Sequence, residues 1–201
     1  MSRVPDSAGA DADEREKSLD GFRNYLRFLA ETQLDRRLRR RIDPSDIVQE
    51  TMLKAYAAWS SFRGDGNCQR AAWLRQILLR EVLHAVRAER AAKRDVAREQ
   101  HFDHLLDQSS ERIESWLAAT QTSPSMAVQE AEDLVCIADA VFQLPEAERI
   151  AVVGFYWQGA SLAQLSEELG RTAPAAAGLV HRGVQRLRKE LAQSNCSLVA
   201  P

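Results

Sequence analysis

The sequence predicts an all-α protein built from two small helical domains that are joined by an acidic linker. Its composition is the first reason: 45% of the residues are hydrophobic, Ala, Leu, Arg and Glu are abundant, and runs of β-branched residues are scarce. The second reason is the helical spacing of apolar residues in two separate stretches. The third is a carboxylate-rich segment between these stretches, which is typical of a linker.

The expected organisation has four parts. Residues 1–19 are an acidic tail expected to be disordered, 20–97 a first helical domain, 98–127 the linker, and 128–195 a second helical domain that contains a helix-turn-helix. The formal net charge of −2 conceals a segregation, because the tail and the linker are acidic whereas both domains end in basic helices. Blocks of one sign favour interaction surfaces, although a solvated helix face is the commoner explanation for any single block.

Several functional classes have little support in this sequence. No apolar run approaches the roughly 18 residues of a membrane span, and the acidic N-terminus differs from a signal peptide, so a cytoplasmic protein is expected. Three scattered cysteines indicate neither a disulfide framework nor a zinc site, and His101 and His104 lack a complete set of metal ligands. There is no nucleophile motif, phosphate loop or HExxH helix, so we expect no enzyme activity, cofactor or metal.

The first domain carries a candidate docking face. Apolar residues from Phe22 to Leu38 predict one long helix, and Asp43, Pro44 and Asp46 form the start signal of the next. On that second helix, spacings of three, four and seven residues align a polar face that has one apolar member: Asp46, Gln49, Glu50 and Leu53. Such a face suits a basic partner surface, and an ordinary solvated face is the alternative.

The third predicted helix carries a basic stripe. It follows a turn-rich loop, Phe62 to Asn67, and begins near Gln69. Cationic residues recur near one side of it: Arg80, His84, Arg87 and Arg94, with Arg90 close by. Together with Trp73 they could line a groove for a nucleic-acid backbone and unstacked bases, and the alternative is a helix end that complements its own dipole.

The second domain ends in a predicted helix-turn-helix. After a helix from near Val128 and another from Glu146, the stretch SLAQLSEELG RTAPAAAGLVHRGVQRLRKEL places Gly170 at the stop of one helix and Thr172 at the cap of the next. The helix from Glu146 is expected to pack four residues inward: Ile150, Val153, Phe155 and Tyr156. From Arg171 the last helix is basic until Glu190, which favours phosphate contacts, although helical hairpins with a glycine turn also occur in ordinary bundles.

These motifs together resemble a known family. DPSDIVQETMLKAY and AWLRQILLREVL, followed by an acidic linker, LPEAERIAVVGFYWQG, SLAQLSEELG and VHRGVQRLRKEL, resemble the extracytoplasmic-function class of the bacterial sigma-70 family. RTAPAAAGLVHRG is similar to planctomycete members. The resemblance covers roughly residues 20–97 and 128–192, and it implies a non-enzymatic subunit that binds core RNA polymerase, directs it to promoters and helps to open the DNA.

The resemblance also implies roles for individual residues. Asp46, Gln49, Glu50 and Leu53 would dock on the clamp helices of the largest polymerase subunit. The minus-ten element, where a flipped base can be held, would be met by the loop from Phe62 to Asn67, through Asn67, and by four residues of the basic stripe: Arg80, His84, Arg87 and Arg90. The minus-thirty-five element would receive the last helix, with Arg171, Thr172, Ala173 and Ala175 at its entry and His181, Arg182 and Arg186 as phosphate candidates.

The last helix departs from the family pattern, because its alanine-rich start offers few hydrogen-bonding groups and base selectivity would depend more on DNA shape. Many family members are held inactive by an anti-sigma protein, and the residues leave that partner open. A stand-alone helix-turn-helix transcriptional regulator is the alternative function, and it should bind promoter DNA without polymerase.

Overall fold

The computed structural model describes residues 17–34, 38–93 and 124–193. Within these ranges the chain is helical and contains no strand, which confirms the all-helical prediction. Residues 17–20 are helical and precede seven α-helices, and short 3-10 turns lie at Leu38–Arg40 and Trp59–Ser61. The seven helices are α1 (Arg23–Gln33), α2 (Pro44–Ala57), α3 (Asn67–Lys93), α4 (Pro124–Phe142), α5 (Glu146–Tyr156), α6 (Leu162–Leu169) and α7 (Ala173–Gln193).

The first helix is shorter than the sequence predicted. Helix α1 ends at Gln33, Leu34 is extended with ψ 128°, and the 3-10 turn begins at Leu38. A single helix through the run RRLRRR would place Arg36 four residues before Arg40, and like charges at that spacing destabilise a helix. Leu34 and Leu38, which follow the end of α1, are both buried.

Helix α2 begins where its sequence signal predicted. The Asp43 carboxylate accepts a hydrogen bond of 2.8 Å from the backbone N–H of Ser45, and Pro44 occupies the first turn, where its missing N–H has no partner to lose. The inward side of α2 packs on α1 and α3, and Thr51 satisfies its buried hydroxyl by donating to the Ile47 carbonyl at 2.7 Å. The opposite side of α2 is left to solvent.

Helix α3 is the longest element, about 40 Å at 1.5 Å per residue. Its inward side is almost completely buried: Leu74, Leu78, Leu79, Val82 and Val86. Against it lies Tyr25 of α1. Burial raises the pKa of the Tyr25 phenol well above its usual value, and the nearby charge of Arg75 opposes that rise only in part.

The C-terminal helices differ from prediction at two points. Helix α4 begins at Pro124, inside the segment predicted as linker, because proline fits the first turn of a helix. Phe155 and Tyr156 were expected to pack inward with Ile150 and Val153, but they are 39% and 59% exposed, and that expectation is wrong. They lie in the last turn of α5, beyond the place where α7 crosses it at Val152.

Both halves of the chain contribute to one hydrophobic core. Buried residues from α1, α2 and α3 form a continuous cluster with buried residues of α4 and α5. A smaller cluster joins Ala151, Leu165, Ala176 and Val180 of α5, α6 and α7. Within the described ranges no helix combines the length and apolar character needed to cross a membrane. Residues 1–16 of the predicted tail, most of the linker, His101 and His104 lie outside the described residues. Residues 17–19 were expected to be disordered but are helical, because Leu19 is buried in the core.

Gly183 sets the distance between α5 and α7. A Cβ at this position would lie 2.5 Å from Val152 Cγ2 and 3.2 Å from the Glu148 carbonyl oxygen. We expect Gly183→Ala to lower the free energy of unfolding by about 1–3 kcal/mol through overpacking. Chemical denaturation of the full chain measures this change.

Gly178, five residues earlier on the same helix, is the matched control. Its added Cβ would meet only the mobile end of the Arg182 side chain, at 3.3 Å. Gly178→Ala should therefore raise the free energy of unfolding, by up to about 1 kcal/mol of helix propensity. Equal effects at the two positions would contradict the close helix contact.

Candidate functional site

The predicted docking residues form one exposed face on α2. Asp46, Gln49, Glu50 and Leu53 all lie on the solvent side of the helix, and we call them the acidic face. Leu53 is 60% exposed, and Tyr56, less than one turn further along the helix, is exposed as well. The face therefore combines carboxylates with an apolar contact point.

A groove of about 310 Å³ extends this face toward the N-terminus. Gln49, Leu53 and Tyr56 line it from α2, and Leu19 and Arg23 are among the residues on the other side. Tyr56 is 46% exposed and was not predicted as a site residue. Its position three residues after Leu53 continues the same helical spacing, so the sequence did contain a signal for it.

Lysine pairing reduces the negative charge of the acidic face at one point. Lys54 Nζ lies 3.4 Å from Glu50 and also contacts Glu81 of α3. The hydrogen bond to Glu81 is the main reason that the pKa of Lys54 is raised above its ordinary value, with Glu50 adding to it. Asp46 has no ion-pair partner among the described residues, so it is the more available of the two carboxylates.

On α3, Arg80, His84 and Arg87 are exposed and form the basic stripe. Each residue of an α-helix is rotated by about 100° from the previous one, so these three side chains fall within an arc of roughly 100° around the helix axis, together with Arg70 and Trp73. This arc faces away from the core. It runs about 25 Å along the helix from Arg70 to Arg87. The cationic and aromatic side chains from Arg70 to Arg87 therefore form one continuous strip of surface, which we call the track on α3.

Of the other two residues predicted to meet the minus-ten element, Asn67 stands apart from the basic stripe. Asn67 is the first residue of α3, about 20 Å along the axis from Arg80 and on the other side of the helix. Its side chain accepts a hydrogen bond of 3.1 Å from Arg70. Arg90 belongs to the same helix, and its side chain lies outside the description. The structure thus brings together Arg80, His84 and Arg87, but not Asn67.

An aromatic cluster lies at the start of this track. The ring centroids of Phe62 and Trp73 are 5.1 Å apart, and Trp59 is 6.0 Å from Phe62 and 6.4 Å from Trp73. The Arg70 guanidinium lies 5.4 Å from the Trp59 ring and 5.9 Å from the Phe62 ring. Arg70 was not predicted from the sequence, because its contact with these rings depends on how the loop folds back.

The loop before α3 is held in place by Gln69. Its side-chain oxygen accepts hydrogen bonds from the backbone N–H groups of Asp65, at 2.8 Å, and Gly66, at 3.0 Å. A Cβ on Gly64 would lie 2.6 Å from the Phe62 ring, so only glycine fits beside that ring. The predicted loop is consequently an ordered edge of the aromatic cluster.

Helices α6 and α7 form a tight pair with defined ends. Ser161 and Gln164 make a capping box at the start of α6, and Gly170 ends it in the left-handed conformation, φ 59°. The Thr172 hydroxyl accepts a hydrogen bond from Ala175 N–H at 3.4 Å, as the sequence indicated. The start of α7 is solvent-exposed: Arg171, Thr172, Ala173 and Ala175.

Two arginines predicted to contact phosphates are ion-paired within the protein. Arg186 Nε lies 2.9 Å and Arg182 Nε 3.7 Å from the carboxylate of Glu148, which is buried on α5. Both guanidinium groups remain more than half exposed, whereas His181 lies on another flank of α7. Glu148 positions these arginines, a role that local spacing does not reveal because the carboxylate and the arginines lie on different helices.

A comparison with protein families gives an independent result. Residues 22–92 match the family described as Sigma-70 region 2. The match contains α1 and α2 and nearly all of α3, and therefore the acidic face, the aromatic cluster and the basic stripe. It supports a sigma-70 family sigma factor, and it implies binding to core RNA polymerase and promoter DNA.

Proposed function

We propose that this chain, with its Sigma-70 region 2 match, is a promoter-specificity subunit of RNA polymerase of the extracytoplasmic-function class, similar to planctomycete members. The main support for this proposal is that the exposed acidic face and the basic stripe with its aromatic cluster both lie within residues 22–92, the part of the chain that matches Sigma-70 region 2. A docking surface and a strand-binding surface on adjacent helices suit a protein that joins an enzyme to DNA. The protein acts in the cytoplasm and performs no catalysis of its own.

The acidic face contacts the clamp helices of the largest polymerase subunit. Asp46 and Glu50 supply negative charge, Leu53 supplies an exposed apolar contact, and Gln49 lies between them. In such an interface the negative charges orient the two partners, and the apolar contact adds affinity. Tyr56 and the adjoining groove extend this contact.

The track on α3 holds the minus-ten element as a separated strand. Bases stack on aromatic side chains, and the phosphates between them are neutralised by the basic stripe. Because this surface binds unstacked bases, it stabilises the open strand more than the duplex, and opening needs no nucleotide hydrolysis by this chain. Asn67 and Arg90 are the predicted contacts at the margins of the track.

Helices α6 and α7 act as a helix-turn-helix on the minus-thirty-five element. The exposed start of α7 enters the major groove with Arg171, Thr172, Ala173 and Ala175, and His181 contacts phosphate. Arg182 and Arg186 share a carboxylate, so their combined charge toward DNA is smaller than two free guanidinium groups would give. The organisation into domains 20–97 and 128–195 belongs to this proposal.

Transcription in vitro tests the proposal. Core polymerase from the source organism is combined with the chain and fragmented genomic DNA, and transcript starts are mapped. We expect a defined set of start sites that core polymerase alone does not use. An unchanged pattern of starts with and without the chain would contradict the proposal.

A stand-alone regulator is the competing function, favoured by the exposed cationic start of α7. A gel-shift titration of promoter DNA separates the two functions. The sigma-factor proposal expects strong retardation only with core polymerase present. Tight, sequence-specific retardation by the chain alone would favour the regulator.

A further inference from the structure

A buried carboxylate lies directly behind the helix that is proposed to enter DNA. Glu148 occupies the first turn of α5, and its side chain is 8% exposed. Helix α7 approaches it closely at Gly183, where an added Cβ would lie 3.4 Å from the Glu148 Cβ and 3.2 Å from its carbonyl oxygen. The close approach of the two helices therefore fixes the carboxylate beside α7.

Two arginines flank this point of approach. Arg182 precedes Gly183 and Arg186 follows it by three residues, and their Nε atoms lie 3.7 Å and 2.9 Å from the Glu148 carboxylate. Both arginine side chains are 59% exposed, so one buried negative charge faces two positive charges that remain accessible. Two guanidinium groups and one carboxylate leave this cluster with one net positive charge instead of two.

The two arginines lie on the flank of α7 that begins at its exposed start. Ala175, Arg182 and Arg186 are separated by seven and four residues, which places them within about 40° of one another around the helix axis. The Arg182 guanidinium extends toward that start, since its Nη1 lies 3.3 Å from the place where a Cβ on Gly178 would be. Both cations therefore belong to a flank that the proposed function places against the minus-thirty-five element.

We infer that Glu148 is a specificity-determining residue, which holds Arg182 and Arg186 in one geometry and cancels part of their charge toward DNA. This inference rests on the proposed function of α7. Positive charge that acts on any duplex increases nonspecific binding, because every duplex presents the same phosphates. Glu148 lowers this indiscriminate binding more than it lowers binding to the minus-thirty-five element.

The difference between the two kinds of site comes from orientation. A long arginine side chain loses rotamer freedom when it is immobilised on a partner. The carboxylate already orients Arg182 and Arg186 in the free chain, so part of that loss occurs on folding. A phosphate arrangement that matches this orientation gains from it, whereas another arrangement must first break the ion pairs. Glu148 thus acts on DNA selection through the arginines, as a positioning residue.

The salt dependence of duplex binding tests the charge effect. Full chain with Glu148→Gln, which keeps the shape of the side chain and removes its charge, is titrated against a duplex of random sequence by fluorescence anisotropy. We expect the slope of log affinity against log salt to steepen by about 0.9, and affinity at about 0.1 M salt to rise by about fivefold to tenfold. A role confined to fold stability would weaken binding without steepening the slope, and an unchanged or shallower slope would overturn the inference.

Glu146→Gln is the matched control. Glu146 is exposed two residues earlier on α5, about 160° around the helix from Glu148, and its variant loses the same charge. Its slope should stay close to that of the unmodified chain. Equal steepening by both variants would overturn the inference, because net charge alone would then explain the result. Glu148→Met, which buries no polar group, replaces the glutamine variant in the measurement if that variant does not fold.

A second variant separates orientation from charge. Glu148→Gln with Arg186→Gln restores one net positive charge to the cluster but leaves Arg182 without its carboxylate. Its slope should return to that of the unmodified chain. Transcription from a mapped promoter with core polymerase, in the presence of increasing random-sequence duplex, should nevertheless be inhibited at about threefold lower competitor concentration in both Glu148 variants. Resistance to competitor equal to that of the unmodified chain would overturn the inference.

The failure of the proposed function would look different. In that case the unmodified chain would not direct initiation by core polymerase, whereas the salt slopes of the free chain would still be measurable. The inference alone fails when the unmodified chain directs initiation and Glu148→Gln changes neither the slope nor the sensitivity to competitor.

Discussion

Asp46→Arg and Glu50→Arg, singly or together, are expected to abolish co-purification with core polymerase. Both carboxylates are exposed on one side of α2, so reversal places a like charge against the basic surface that the acidic face is proposed to meet. Charge reversal at an interface commonly costs several kcal/mol, which corresponds to a loss of affinity of about a hundredfold or more. Pull-down with tagged polymerase and a binding titration measure the loss.

The two positions should not be equal. Glu50 is already paired with Lys54, whereas Asp46 has no ion-pair partner within the described ranges. We therefore expect the larger effect at Asp46. Glu167→Arg, an exposed reversal on α6, is the control and should retain polymerase binding. Normal binding by both α2 variants would remove the acidic face from the interface.

Replacing Arg80 and Arg87 by alanine together is expected to weaken binding to a single-stranded minus-ten oligonucleotide. Each phosphate contact contributes about 0.7 to the slope of log affinity against log salt for single strands, so the slope should fall by about 1.4. Open-complex formation with polymerase should fall in parallel, while binding to core polymerase should persist. Fluorescence anisotropy at several salt concentrations gives the slope.

The matched control removes the same charge from another helix. Arg188→Ala with Lys189→Ala on α7 also eliminates two exposed cations, and these are not part of the track on α3. The control should bind the single strand as the unmodified chain does. Equal losses in both double variants would indicate a general charge effect and would contradict the assignment to the basic stripe.

Local signals in the sequence predicted the helix ends and the exposed faces well. Asp43 caps α2 and Gly170 ends α6 because capping and left-handed geometry depend on a few neighbouring residues. The acidic face follows from helical periodicity, so its exposure could be predicted without tertiary information. The same reasoning extended α1 too far, because periodicity continues through Leu38 although the helix does not.

Local sequence patterns could not predict the contacts between distant parts of the chain. The Phe28–Trp157 contact joins residues that no spacing rule connects, and the exposure of Phe155 depends on where a partner helix stops covering α5. Arg70 over Trp59 likewise requires the folded loop. Periodicity shows which side of a helix is buried, but not which partner covers it or for how many turns.

The buried carboxylate of Glu148 has a consequence for how an alanine scan of α7 would be interpreted. Removing Arg186 leaves a desolvated negative charge with a weaker counterion, and such a charge is costly whether or not DNA is present. Lost activity in that variant would combine fold damage with lost phosphate contact. Pairing each arginine variant with Glu148→Gln in a double-mutant cycle separates the two contributions.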